Sequence, residues 1–214
     1  HGLLQVVHLG QRTRQFQQND GPACLPRENG PAGRAALFSG PTALIRADHP
    51  GEVDAALDAL DRAKRDGRWC AGFASYELGY ALEPRLTGLM PPVRDLPLML
   101  FGVYDAPAPA EALLARAAAE AAGARLPPAT PAWNQADHAA AMADVLDFIA
   151  AGDIYQANLT MQMAAEAQGS ALGLYGALRL RQPVAHGALV DLPDCPAILS
   201  RSPELFFATD ADGR

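Results

Sequence analysis

No apolar run in the 214-residue sequence approaches the roughly 18 residues that a helical membrane span requires, and no membrane partner is expected. The chain opens on His1-Gly2, without an initiator methionine and without the basic-then-apolar pattern of a secretory signal. It therefore reads as a processed or partial sequence. Cysteine is scarce: Cys24, Cys70 and Cys195 form an odd set with no CxxC spacing, which argues against a zinc site or a disulfide framework and fits a reducing cytoplasm. Basic charge is short as well. Seventeen Lys and Arg against 24 Asp and Glu leave a net charge of −7, a surface that repels phosphate backbones, so no nucleic-acid partner is expected. Asn158-Leu159-Thr160 spells a glycosylation sequon, but without a secretory signal the match is accidental.

The common catalytic signatures are also missing. The chain holds no P-loop, no GxGxxG after a strand, no HExxH and no GxSxG. Gly169, Gly173 and Gly176 lack the preceding strand of a dinucleotide site and read as turn and helix packing. Each of the five histidines stands alone, as surface or core histidines do.

What is present is a foldable chain. Half of the residues are hydrophobic, which excludes a disordered polymer. The 18 Pro and 19 Gly mark many loops without a collagen-like period. Residues 1–33 read as a poorly structured or non-native lead, polar from Gln11 to Asp20 and rich in Pro and Gly thereafter. Residues 34–106 read as an N-terminal α+β part, with short strands at 35–38 and 43–46 around Gly40-Pro41. A helix opens at Pro50-Gly51, with Val53, Leu57 and Leu60 on one face, and ends at Gly67. Buried strands follow at Trp69–Tyr76 and Leu98–Tyr104.

Residues 107–132 form an Ala- and Pro-rich connector, whose helix (about 110–122) has little apolar bulk to bury. Residues 133–214 begin a further domain. Its clearest element is a helix over Asp137–Ala151, with Met142, Val145, Leu146 and Ile149 on one stripe and Gly152 as C-cap. A strand over Ile154–Met163 follows. Then come a helix over Ala171–Arg181 stopped by Pro183, and strands near 186–191, 197–200 and 204–208. Single helices alternate with groups of strands, which predicts an α+β fold with antiparallel sheets.

Two segments stand out chemically. In Ala150–Thr160 a helix end runs through glycine into the predicted strand, on which Gln156, Asn158 and Thr160 share a face. Such a face is either a solvated edge or a polar wall for a small ligand, because buried polar groups need partners. In Ser200–Phe207 (SRSPELFF), Glu204 stands between a proline and three large apolar residues that should anchor a strand. It is either a strand-start glutamate facing water or a carboxyl whose apolar surroundings raise its pKa toward general acid–base work.

GDIYQANLT and SRSPELFF, in that order and about 45 residues apart, together resemble the chorismate-utilising enzymes. Within that family they are most similar to component I of aminodeoxychorismate (para-aminobenzoate) synthase, with component I of anthranilate synthase next. Ala71–Glu77 (AGFASYE) and Leu98–Asp105 (LMLFGVYD) add support, and the resemblance covers roughly residues 34–214. It implies an αββα sandwich of the anthranilate synthase component I type, incomplete here, with mostly antiparallel sheets. It implies Glu204 as the catalytic acid/base that assists departure of the ring hydroxyl.

Gln156 would stand where hydroxylating relatives, the isochorismate and salicylate synthases, carry a water-activating lysine. A glutamine cannot serve as that base, so ammonia becomes the nucleophile. Asn158 would bind substrate or ammonia beside it. The implied reaction replaces the 4-hydroxyl of chorismate with an amine, giving 4-amino-4-deoxychorismate in the para-aminobenzoate branch of folate synthesis. Mg²⁺ would hold the substrate carboxylate, and a glutamine amidotransferase subunit would deliver ammonia.

The Mg²⁺-binding glutamates, a carboxylate-gripping arginine and a PIKGT lysine that attacks the ring are expected beyond Arg214. A lysine there would mark aminodeoxychorismate synthase and an alanine anthranilate synthase. Nothing in residues 1–33 resembles the LLxS motif of the family's tryptophan site. The chain alone is expected to be inactive and to self-associate through exposed edges and faces. The alternative of a different class is a non-catalytic binding or assembly module that retains half the fold.

Overall fold

A corner at Gly40, with φ +62°, sends consecutive strands into different sheets. The computed structural model describes residues 6–8, 23–25 and 34–208. Strand β3 (Ala36–Ser39) lies before the corner and β4 (Ala43–Ala47) after it. The first joins a six-stranded sheet with β1 (Val6–His8), β2 (Ala23–Leu25), β7 (Ala108–Pro109), β10 (His186–Asp191) and β11 (Ile198–Ser202), in the order β1-β11-β10-β2-β3-β7. The second joins β5 (Trp69–Ala74) and β6 (Met99–Tyr104) in the order β4-β6-β5. A two-stranded ribbon pairs β8 (Thr130–Pro131) with β9 (Met163–Ala164). Every pairing is antiparallel, so the fold is α+β, as the spacing predicts.

Alternation along the strands sorts their side chains into layers. Ala36 and Phe38 of β3, Val190 of β10 and Ile198 of β11 meet Ala71, Leu100 and Tyr104 of the smaller sheet in one buried cluster. The Phe38 ring lies 5.2 Å from Tyr104 and 5.9 Å from Trp69, centroid to centroid. The intervening residues Leu189 and Leu199 face the other way, onto α3 (Glu111–Glu120) and α5 (Ala171–Arg181). On the far side, Ala47, Leu98 and Met99 pack under α1 (Val53–Arg65) and the short α2 (Leu78–Leu82). The order of layers is therefore helix, sheet, sheet, helix. Leu98, Met99, Leu100 and Leu199 are at most 1% exposed, and burying such a side chain contributes about 1.5–3 kcal/mol each.

The helices begin and end for local reasons. Ahead of α1 the Glu52 carboxylate accepts the backbone N–H groups of Asp48 (2.7 Å) and His49 (3.0 Å), and Gly67 closes the helix at φ +71°. The buried stripe of α1 is Val53, Ala56 and Ala63, with Leu60 half-buried. Leu57, expected on that face, is exposed, because the i, i+3 rows through Ala56 and Ala63 point at the sheet instead. In α4 (Gln135–Ala151) the Asn134 side chain accepts from Ala136 and Asp137, and Gly152 caps the end at φ +82°. No residue of α4 is buried, however, and Met142, Leu146 and Ile149 of the expected stripe are exposed.

Other expectations change too. The alanine-rich helix is not idle. Ala110 and Ala117 are fully buried against α5, and their smallness lets two backbones approach. Within residues 1–33, expected as a poorly structured or non-native lead, Val6–His8 and Ala23–Leu25 form β1 and β2 of the larger sheet. The strand expected over 154–163 is absent: only Met163 and Ala164 pair, and Ile154–Met161 runs without ladder bonds along the surface. Residues 204–208 form no strand either. The final strand runs 198–202 and the chain leaves it at Pro203.

Candidate functional site

Two surface segments carry the chemistry expected from the sequence. Gln156 and Asn158 lie in the irregular stretch after the Gly152 cap, and both are exposed. The strand expected to align Gln156, Asn158 and Thr160 on one face is not formed, and Thr160 is exposed as well. Tyr155, immediately before Gln156, is 92% exposed.

Glu204 follows the end of β11 and is also exposed. The apolar residues expected to anchor it do not: Phe206 is 90% and Phe207 68% exposed, their rings packing edge-on to one another at 5.2 Å. Glu204 therefore sits at a water-facing turn rather than in apolar surroundings. Its backbone is nonetheless held. The Ser202 hydroxyl donates to the Glu204 carbonyl at 2.7 Å, folding the Ser202-Pro203-Glu204 turn back onto the sheet.

The sheet end beneath that turn is built from buried polar groups that the sequence reading passed over. Arg201 is 2% and Ser202 5% exposed. The Arg201 guanidinium lies over the Tyr175 ring, 5.6 Å from its centroid, and donates to the Gln182 carbonyl at 2.7 Å. Gly187 opposite makes room, since a Cβ there would collide with the guanidinium. The available signal was a charged residue inside an otherwise apolar strand, next to the SPE tripeptide.

A second polar patch ties the two sheets together away from Glu204. Arg46 of β4 grips Asp48 through two hydrogen bonds, at 2.7 and 2.8 Å, and reaches the Asp194 carbonyl in the β10–β11 turn. The guanidinium hydrogen bond holds the Asp48 carboxyl below its ordinary range. In the same turn, burial pushes the Cys195 thiol up to about 11.

Two surface cavities lie elsewhere, and neither is lined by Gln156, Asn158 or Glu204. One is a small apolar pit between Leu126, Leu174 and Leu178; the other is an open groove beside Arg125, Glu166 and Arg181. Among the described residues no group of three or more His, Cys, Asp or Glu is placed to hold a metal ion. Among them, too, no helix is long and apolar enough to cross a membrane.

Residues 21–214 match the model of the chorismate binding enzyme family. No solved structure matches the chain.

Proposed function

We propose that this chain, which belongs to the chorismate binding enzyme family, supplies Gln156, Asn158 and Glu204 to an enzyme that replaces the 4-hydroxyl of chorismate with ammonia. The product would be 4-amino-4-deoxychorismate, and the protein component I of an aminodeoxychorismate synthase. The observation that carries this reading is Gln156 in GDIYQANLT, ahead of Glu204 in SRSPELFF. An amide has no basic lone pair with which to deprotonate water, so the site favours a nucleophile that is already competent.

The carboxylic acid of Glu204 gives its proton to the leaving 4-hydroxyl as the C–O bond breaks with its electron pair on oxygen, and water departs. Where the expected ring-attacking lysine has first added as the hydroxyl leaves, ammonia then forms the new C–N bond with its lone pair. The C–N bond to that lysine breaks with its electrons returning to the lysine nitrogen, and the Glu204 carboxylate takes up the surplus proton. Gln156 and Asn158, with amide donors and acceptors, orient the ring substituents and the incoming ammonia. Their exposure suits groups that complete a pocket with further residues. The proposal includes two requirements: Mg²⁺ on the substrate carboxylate, with ligands from outside the described residues, and ammonia from a glutamine amidotransferase partner. An architecture of the anthranilate synthase component I type fits the helix–sheet–sheet–helix order.

The test is to express the protein from its complete gene and supply chorismate, an ammonium salt and Mg²⁺. Mass analysis is expected to show 4-amino-4-deoxychorismate. Anthranilate and pyruvate would assign the anthranilate synthase reaction instead, and no product at all would favour a non-catalytic module. Glu204→Gln should lower turnover by about 10²–10⁴-fold without moving the melting temperature, since the side chain is exposed. The 214-residue chain alone is expected to give no turnover, because Gln156, Asn158 and Glu204 are all exposed to water.

A further inference from the structure

Arg201 and Ser202 are the fully buried polar or charged residues among the described ones, and they immediately precede Pro203-Glu204. From this juxtaposition we infer that they are positioning residues for Glu204, fixing where its carboxyl enters the reaction proposed above, on which this inference rests.

A buried guanidinium carries a large desolvation cost unless its donors are matched. Here the matching partner is the Gln182 carbonyl, at 2.7 Å. Gln182 is the C-cap of α5, where helix carbonyls lack intrahelical partners and the helix dipole favours a cation. The Tyr175 face on the same helix takes the flat side of the guanidinium. Arg201 thereby pins the last residues of β11 to the end of α5. Gly187 is part of the same arrangement, because any side chain there would displace the guanidinium.

The next residue transmits that anchorage. Ser202 sits opposite His186 in the β10–β11 register, and its hydroxyl donates to the Glu204 carbonyl at 2.7 Å. Pro203 restricts the backbone between them. Three consecutive devices thus act on the backbone that carries a single exposed carboxylate: a buried cation on a helix end, a buried hydroxyl closing a turn on the Glu204 carbonyl, and a proline. An arginine serving only the fold would have no need of a buried hydroxyl carrying its fixation one turn further, out to the water-facing glutamate.

The experiment uses the complete gene product and steady-state kinetics with chorismate. Arg201→Met, which keeps length and loses the donors, should lower kcat by about 10²-fold while KM for chorismate changes by less than about threefold, the signature of a mis-set reacting group. Ser202→Ala should lower kcat in the same sense without changing the melting temperature. Arg201→Ala should regain kcat when millimolar guanidinium is added. A folded Arg201→Met protein with wild-type kcat overturns the inference. If that variant fails to fold, wild-type kcat in Ser202→Ala overturns it equally. An unsubstituted protein that forms no product from chorismate overturns the amination reading and takes this inference with it. Product formation insensitive to both substitutions overturns the inference alone.

Discussion

Gly176 of α5 and Ala117 of α3 meet backbone to backbone: a Cβ on Gly176 would overlap the Ala117 carbonyl group. This contact sets the spacing of the helix layer that covers Leu189 and Leu199. Gly176→Ala should therefore force the helices apart and cost about 1–3 kcal/mol, lowering the melting temperature by several degrees. Gly79→Ala, where open space surrounds the added methyl, is the control that should not destabilise.

The Arg46–Asp48 pair gives stability a pH dependence of defined sign. Pairing lowers the Asp48 pKa in the folded chain, so its contribution is complete above the ordinary carboxylate value near 3.9 and disappears as pH falls through the depressed value. Both side chains are more than a third exposed, and solvent screening limits the effect to less than about 1 kcal/mol. Urea denaturation should find Asp48→Asn less stable than wild type at pH 7. The gap should close as the pH is taken below about 4.

Cys195 should be a slow nucleophile. Its thiol is pushed up to about 11, chiefly by burial, which leaves roughly a hundredfold less thiolate at pH 8 than an unperturbed cysteine. Alkylation monitored by mass should label Cys195 much more slowly than a small-molecule thiol, with a rate still climbing above pH 9. Fast labelling at pH 7 would refute the burial described for the β10–β11 turn.

The exposed stripe of α4 should make the 214-residue chain adhesive. Leu146 is 56% and Phe148 53% exposed, and apolar surface of that extent drives association. Sedimentation should show concentration-dependent self-association that Leu146→Glu with Ile149→Lys reduces. A monomer at every concentration would contradict this.

Element type was more legible in the sequence than burial. Helix α5 is found over Ala171–Arg181, as expected, because Ser170 caps one end and Pro183 stops the other. Helix α4 was legible for the same kind of reason, from its apolar period and Gly152. Its partner was not, since amphipathicity says that a face seeks cover and nothing about what provides it. The strand expected over 154–163 failed because alternating polar residues fit a strand pattern, yet a strand exists only where another backbone accepts its hydrogen bonds. Gln156, Asn158 and Glu204 were singled out through a family resemblance, and their exposure in the fold was not foreseen. The support under Glu204 was not legible, because Arg201 reads as a surface charge until the Gln182 carbonyl and the Tyr175 ring are seen around it.

The order of strands also has a consequence for how the chain comes to be folded. Val6 pairs with Ser200, and β2 completes its ladder with β10, so β1 and β2 leave the ribosome well ahead of partners made more than 160 positions later. At about 5–20 residues per second, that is a delay on the order of ten seconds or more. Throughout it the hydrogen-bonding edges of β1 and β2 are open to any other extended segment. Synthesis rate and chaperone occupancy, rather than the stability of the finished sheet, should then govern how much of this protein reaches its native form.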